Sequence, residues 1–143
     1  MFSSAMPSPF GRPQSPLAYR KIAAETGVVD ASPHRLVAML YDGFMEALAE
    51  ARGAMRQKDV ERKGRAISRA ARIVEEGLRG GLDLKAGGQL ADDLNRLYGY
   101  VGLRLTQANL RNDESILDEC QRLMQPLREA WSSISPAGSR PDA

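Results

Sequence analysis

At 143 residues, 43% hydrophobic and 27% charged, the chain is long enough for one domain with a real core and too short for two. Twenty basic against 18 acidic residues leave a net charge of +2, no argument for nucleic acid, and three Phe, four Tyr and one Trp are too few for platforms that stack single-stranded bases. The lone Cys120 cannot close an internal disulfide, and no run approaches the ~20 apolar residues of a membrane helix, so a cytoplasmic protein in a reducing compartment is expected.

Residues 1–16 hold four of the eight prolines among Ser and Gly, which predicts a disordered arm, and they lack the basic start and apolar centre of a secretory signal. Leu17–Thr26 predicts a short helical segment whose large apolar groups, Leu17, Tyr19 and Ile22, are too few to fold alone. Ser32-Pro33 then marks the start of the first long helix: the serine can cap free N–H groups, and proline suits the first turn. Leu36, Leu40, Phe44, Leu48, Ala51 and Met55 recur at three- and four-residue steps and form its apolar face, widened by Val37 and Tyr41. Gly43 lies at the edge of that stripe, where a neighbouring helix can approach closely.

Asp59 is the expected cap of the second helix, with Val60, Ile67, Ala70, Val74 and Leu78 on its inner face and Gly80-Gly81 as its stop. A loop through Gly87-Gly88 leads to the third helix, Gln89–Leu110, whose face reads Leu90, Leu94, Leu97, Tyr98, Val101, Leu105, Ala108. Asn112-Asp113 predicts a tight turn and the cap of the fourth helix, which shows Ile116, Cys120, Leu123, Met124, Leu127, Ala130, Trp131 and Ile134, with Pro126 expected to kink or loosen it. The sum is an all-α fold: an antiparallel four-helix bundle over residues 17–134, with a short N-terminal helical segment and disordered termini, 1–16 and 135–143.

No chemistry of an enzyme is legible, and no cofactor or metal is expected. A di-metal bundle site needs inward glutamates and Glu-x-x-His pairs, whereas His34 is the only histidine and Glu46, Glu50, Glu75 and Glu76 lie on polar faces. Cys120 falls on an apolar stripe, as do the aromatics Tyr41, Phe44, Tyr98 and Trp131, and all read as core. Arg62, Arg65, Arg69, Arg72 and Arg79 form a row on the second helix, readable as a solvated face or as a site for an acidic partner or RNA. Tyr100, Leu103 and Leu110 point away from the core stripe of the third helix, and Ile73 stands at the shoulder of the second beside Ala66 and Ala70. Two readings stay open: ordinary shoulder packing, or a groove that takes an amphipathic segment.

The ordered set Tyr19, Ser32-Pro33-His34-x-Leu36 and Leu40-Tyr41-Asp42-Gly43 resembles the FliS family of flagellar secretion chaperones. It continues through Lys63-Gly64-x-Ala66-Ile67-x-x-Ala70, Ile73-Val74, Gly81-Leu82-Asp83, Gly87-Gly88-x-Leu90-Ala91 and Leu97-Tyr98-x-Tyr100, and ends with Ala108-Asn109, Asn112-Asp113 and Arg128-x-Ala130-Trp131. The resemblance implies a cytoplasmic helical-bundle chaperone, not an enzyme, that binds the disordered C-terminal segment of flagellin and prevents its early polymerisation. It also implies help in delivering flagellin to the export gate component of the flagellar type III apparatus, with no nucleic acid and no membrane insertion; whether other flagellar regulators share the surface stays open. On this basis Ala66, Ala70, Ile73, Tyr98, Tyr100, Leu103, Asn109 and Leu110 are expected to contact or shape the flagellin-binding surface, with Tyr19 on the segment that covers part of it. The alternative is a regulatory or scaffolding bundle that uses the arginine row.

Overall fold

Ser32 begins the fold as its chemistry dictates: in an extended conformation, it accepts a 3.2 Å hydrogen bond from the Arg35 N–H, and Pro33 takes the first helical position. The computed structural model describes residues 32–134, so the arm 1–16, the segment Leu17–Thr26 with Tyr19, and the tail 135–143 lie outside the described residues. From the Ser32 cap α1 runs Pro33–Arg56 and buries Leu36, Leu40, Phe44, Leu48, Ala51 and Met55, with Val37, Tyr41 and Gly43 beside them.

Lys58, at φ 59°, turns the chain in the left-handed region. Asp59 then caps α2 (Val60–Arg72) by accepting from the Arg62 N–H at 3.1 Å. The second helix does not stay α to its end: Ile73–Arg79 is π-helical. Ile73 is only 2% exposed, in register with the buried Ala66 and Ala70, which corrects its shoulder placement: the buried face of the second helix is wider than the stripe of large residues. The segment ends at Gly80, a position that only glycine fits because a Cβ there would stand 2.5 Å from the Glu76 carbonyl oxygen.

Leu82 anchors the following loop in the core, and Gly88 (φ +62°) opens α3, Gly88–Arg111. Asn112, left-handed at φ 53°, closes α3, and Asp113 caps α4, Glu114–Ser132, by accepting from the Ser115 N–H at 2.9 Å. Pro126 neither ends nor interrupts α4. Its ring is exposed, and the Arg122 carbonyl that loses a helical donor belongs to an exposed residue, where water can take its place.

Each helix packs on its chain neighbours and α4 closes on α1, so α1 and α3 stand at one diagonal of the bundle. Ion pairs read out the antiparallel sense: Asp42 with Arg128, Arg52 with Asp118 and Arg56 with Glu114 join α1 to α4 in descending order. Across the α1–α3 diagonal the buried hydroxyls of Tyr41 and Tyr98 hydrogen-bond at 2.7 Å. Three large residues expected on core faces are exposed: Val60 on the first turn of α2, Leu90 on the first turn of α3, and Ile134 beyond the end of α4. Ala130 is likewise exposed.

Candidate functional site

The outer face of α3 is where the bundle leaves apolar surface uncovered. At ~100° per residue, Tyr100, Leu103, Gln107 and Leu110 form one strip pointing away from Leu94, Tyr98, Val101 and Leu105. Tyr100 is 43% exposed, Leu103 57% and Leu110 80%. Tyr100 is held rather than loose: its hydroxyl donates to the Glu119 carboxylate on α4, which also accepts from Arg104 Nε at 2.7 Å. The hydrogen bond to Glu119 raises the Tyr100 pKa, and the same bond, followed by that from Arg104, lowers that of Glu119, so the pair stays phenol and carboxylate at neutral pH.

The expected site residues therefore separate by depth. Tyr100, Leu103 and Leu110 reach solvent together, while Ala66, Ala70, Ile73 and Tyr98 are buried and reach a partner only by shaping the helices above them. Ala66 comes nearest: with Ala47 it floors a cleft of about 350 Å³ between α1 and α2, rimmed by Glu50, Arg62, Arg65 and Arg69. Asn109 is half-buried, and its carbonyl accepts a 3.1 Å hydrogen bond from Lys63 Nζ.

Lys63 is the residue whose role the sequence reading missed. It is the one charged side chain counted in the core of the described residues, 7% exposed, and it also donates to Asn112 Oδ1 at 3.1 Å. The ammonium thus sits where the last carbonyls of α3 concentrate partial negative charge, and it fixes the turn that presents Leu110. A signal was available, because Lys63 lies four and seven residues before Ile67 and Ala70, on the inner stripe.

The arginine row is a neutralised surface. Arg62 pairs with Glu50, Arg65 with Glu61, Arg69 with Glu46, Arg72 with Glu76 and Arg79 with Glu75. The hydrogen bond between Arg62 and Glu50 lowers the carboxyl pKa of Glu50, as a formed ion pair must. Cys120 is fully buried, and burial pushes its thiol up to about 12, so it remains protonated at neutral pH. Among the described residues no group of three or more His, Cys, Asp or Glu side chains is placed to hold a metal ion, and no helix is long and apolar enough to cross a membrane. His34 is engaged with Trp131, stacked at 4.8 Å, and the indole N–H donates to the His34 carbonyl at 2.9 Å.

The family profile described as FliS, flagellar protein FliS, matches residues 15–138 of the chain. The chain belongs to the FliS family. The flagellar secretion chaperone FliS of Salmonella typhimurium is 46% identical over 122 residues, covering 85% of this chain and 90% of that protein. The flagellar secretion chaperone FliSB of Pseudomonas aeruginosa is 44% identical over 117 residues, 82% of this chain and 92% of its own. At greater distance, the flagellar secretion chaperone FliS of Bacillus subtilis is 31% identical over 107 residues, 75% of this chain and 78% of its own. The profile match thus spans the described bundle, including the strip on α3.

Proposed function

We propose that this chain is a cytosolic chaperone of flagellar secretion that binds the C-terminal segment of flagellin, holds it from polymerising, and helps pass it to the export gate component. The observation that carries this reading is the exposed strip Tyr100, Leu103, Leu110 on α3 of a FliS-family bundle. A disordered client that folds as it binds loses ~2–5 kcal/mol to ordering and needs a long apolar surface to offset it. The strip offers such a surface on a helix already fixed by its own core. No nucleotide is required, since binding has only to compete with polymerisation until export. The arginine row supports the rival reading poorly, because each of its cations lies against a carboxylate.

The test is calorimetric titration of the full chain with a peptide from the C-terminus of flagellin of the same cell, against an N-terminal flagellin peptide. The expected result is one-to-one binding of the C-terminal peptide alone, with a negative heat-capacity change. Absence of binding both by the full chain and by a chain lacking residues 1–18 would overturn the proposal.

A further inference from the structure

Beside the apolar strip, α3 has a notch. A methyl group built on Gly102 would stand 2.7 Å from a carboxylate oxygen of Glu75, and one on Gly99 would stand 3.3 Å from the Arg79 guanidinium. The two charged side chains lie on bare α3 backbone and are paired with each other at 3.2 Å, and Arg79 Nε donates to Asn95 Oδ1 at 2.7 Å. Both side chains remain about two-fifths exposed, Glu75 at 43% and Arg79 at 38%. A partly exposed pair four residues apart contributes little free energy and is displaced easily. Both residues also belong to the π-helical segment, a geometry with a nearby α-helical alternative that recurs at functional sites.

Resting on the reading that the outer face of α3 takes the flagellin segment, we propose that the Glu75–Arg79 pair is an autoinhibitory cover over the Gly99–Gly102 notch. The incoming segment, as an amphipathic helix, displaces the pair and lays a small side chain against the bare backbone of Gly99 and Gly102, beside Leu103 on the side facing the second helix. Without side chains at Gly99 and Gly102 the two helices approach more closely than bulky residues permit, and Leu103 and Leu110, which flank the notch, reach the client. The cover keeps the groove from presenting a continuous sticky strip while empty. The location of the pair has a direct consequence: its removal strengthens client binding, whereas removal of a strut between the second and third helices weakens it.

The experiment titrates four full-length proteins with the flagellin C-terminal peptide: wild type, Glu75→Ala/Arg79→Ala, Gly102→Ala and, as a control on the strip itself, Leu103→Glu. Glu75→Gln/Arg79→Gln, which keeps the side-chain bulk and removes the charge, is added in case the alanine pair folds poorly. The cover predicts affinity about two- to fivefold tighter in the charge-removed pair, the range expected when an exposed ion pair no longer has to be displaced. Gly102→Ala fills the notch and weakens binding, also in the Glu75→Ala/Arg79→Ala background. If wild type binds, Leu103→Glu does not, and the charge-removed pairs bind equally or more weakly, the cover is overturned while the chaperone reading stands. If neither wild type nor any charge-removed variant binds, both are overturned. Binding by the charge-removed pair alone supports both.

Discussion

Leu103→Glu separates a client surface from a structural shoulder. Leu103 keeps 57% of its surface in water, so the fold draws little from it, and the substitution should change stability by about 0.5 kcal/mol or less. A partner that covers the exposed part gains a little over half the value of a fully buried leucine, about 1–1.5 kcal/mol. The variant forfeits that and also forces a carboxylate into the contact, a further cost of about 1–3 kcal/mol for a polar group buried without a partner. Together these predict flagellin-peptide affinity reduced by roughly 30- to 2000-fold, with helicity intact. Calorimetry with the peptide and thermal melting of the free protein read the two quantities separately. A melting temperature that collapses along with binding would show that Leu103 holds the bundle, and unchanged affinity would remove it from the client face.

Three other outcomes concern the bundle itself. Burial raises the Tyr41 phenol to about 12 against an ordinary value of 10.0, with its bond to Tyr98 acting the other way, so the unfolded chain loses this proton first. Stability from this group is complete below pH 10 and is lost as pH rises toward 12, by ~2–3 kcal/mol in all, and Tyr41→Phe should flatten that part of a urea-midpoint-versus-pH curve. Lys63→Met keeps the apolar stem but strips donors from the Asn109 carbonyl and Asn112, and urea unfolding should show a loss of about 1–3 kcal/mol; a gain would mean that freeing the buried ammonium outweighs its bonds. Pro126→Ala restores a backbone donor inside α4 and should raise stability by about 1–3 kcal/mol, read as a higher melting temperature, whereas a fall would assign the ring a packing role.

What could be read ahead of the structure was whatever depends on local chemistry. Ser32 and Asp59 cap because a short polar side chain before a helical pattern has few better uses, and Asn112 tolerates the left-handed turn between α3 and α4. Periodicity placed Leu40, Phe44, Leu94 and Leu105 inside for the same reason. It misplaced Val60 and Leu90, because a stripe does not say where the covering helix ends. It leaves Ile73 on the shoulder because a stripe of large residues understates how wide the buried face is where Ala66 and Ala70 let a neighbour close in. Lys63 went unread because its meaning depends on the far end of α3, 46 residues away in sequence. Within the candidate site, the outward strip on α3 was legible because it breaks the helix's own pattern, whereas the covered notch at Gly99 and Gly102 depends on the tertiary approach of Glu75 and Arg79.

These features bear on how a small bundle can leave apolar surface open without losing its shape. The Tyr41–Tyr98 bond ties the α1–α3 diagonal, Lys63 fixes the last turn of α3, and the Arg52, Arg56 and Arg128 pairs set α1 against α4. None of these contacts uses Leu103 or Leu110, and on the outer strip Tyr100 is tied to α4 through Glu119. On the proposed reading the outer strip is preorganised, so the ordering cost of complex formation falls mainly on the client. That division suits transient holding, because a client that must fold to bind gives up affinity to ordering and can be released when export draws its chain away. On the proposal that Glu75 and Arg79 cover the Gly99–Gly102 notch, tightening such a complex is a matter of uncovering more of α3.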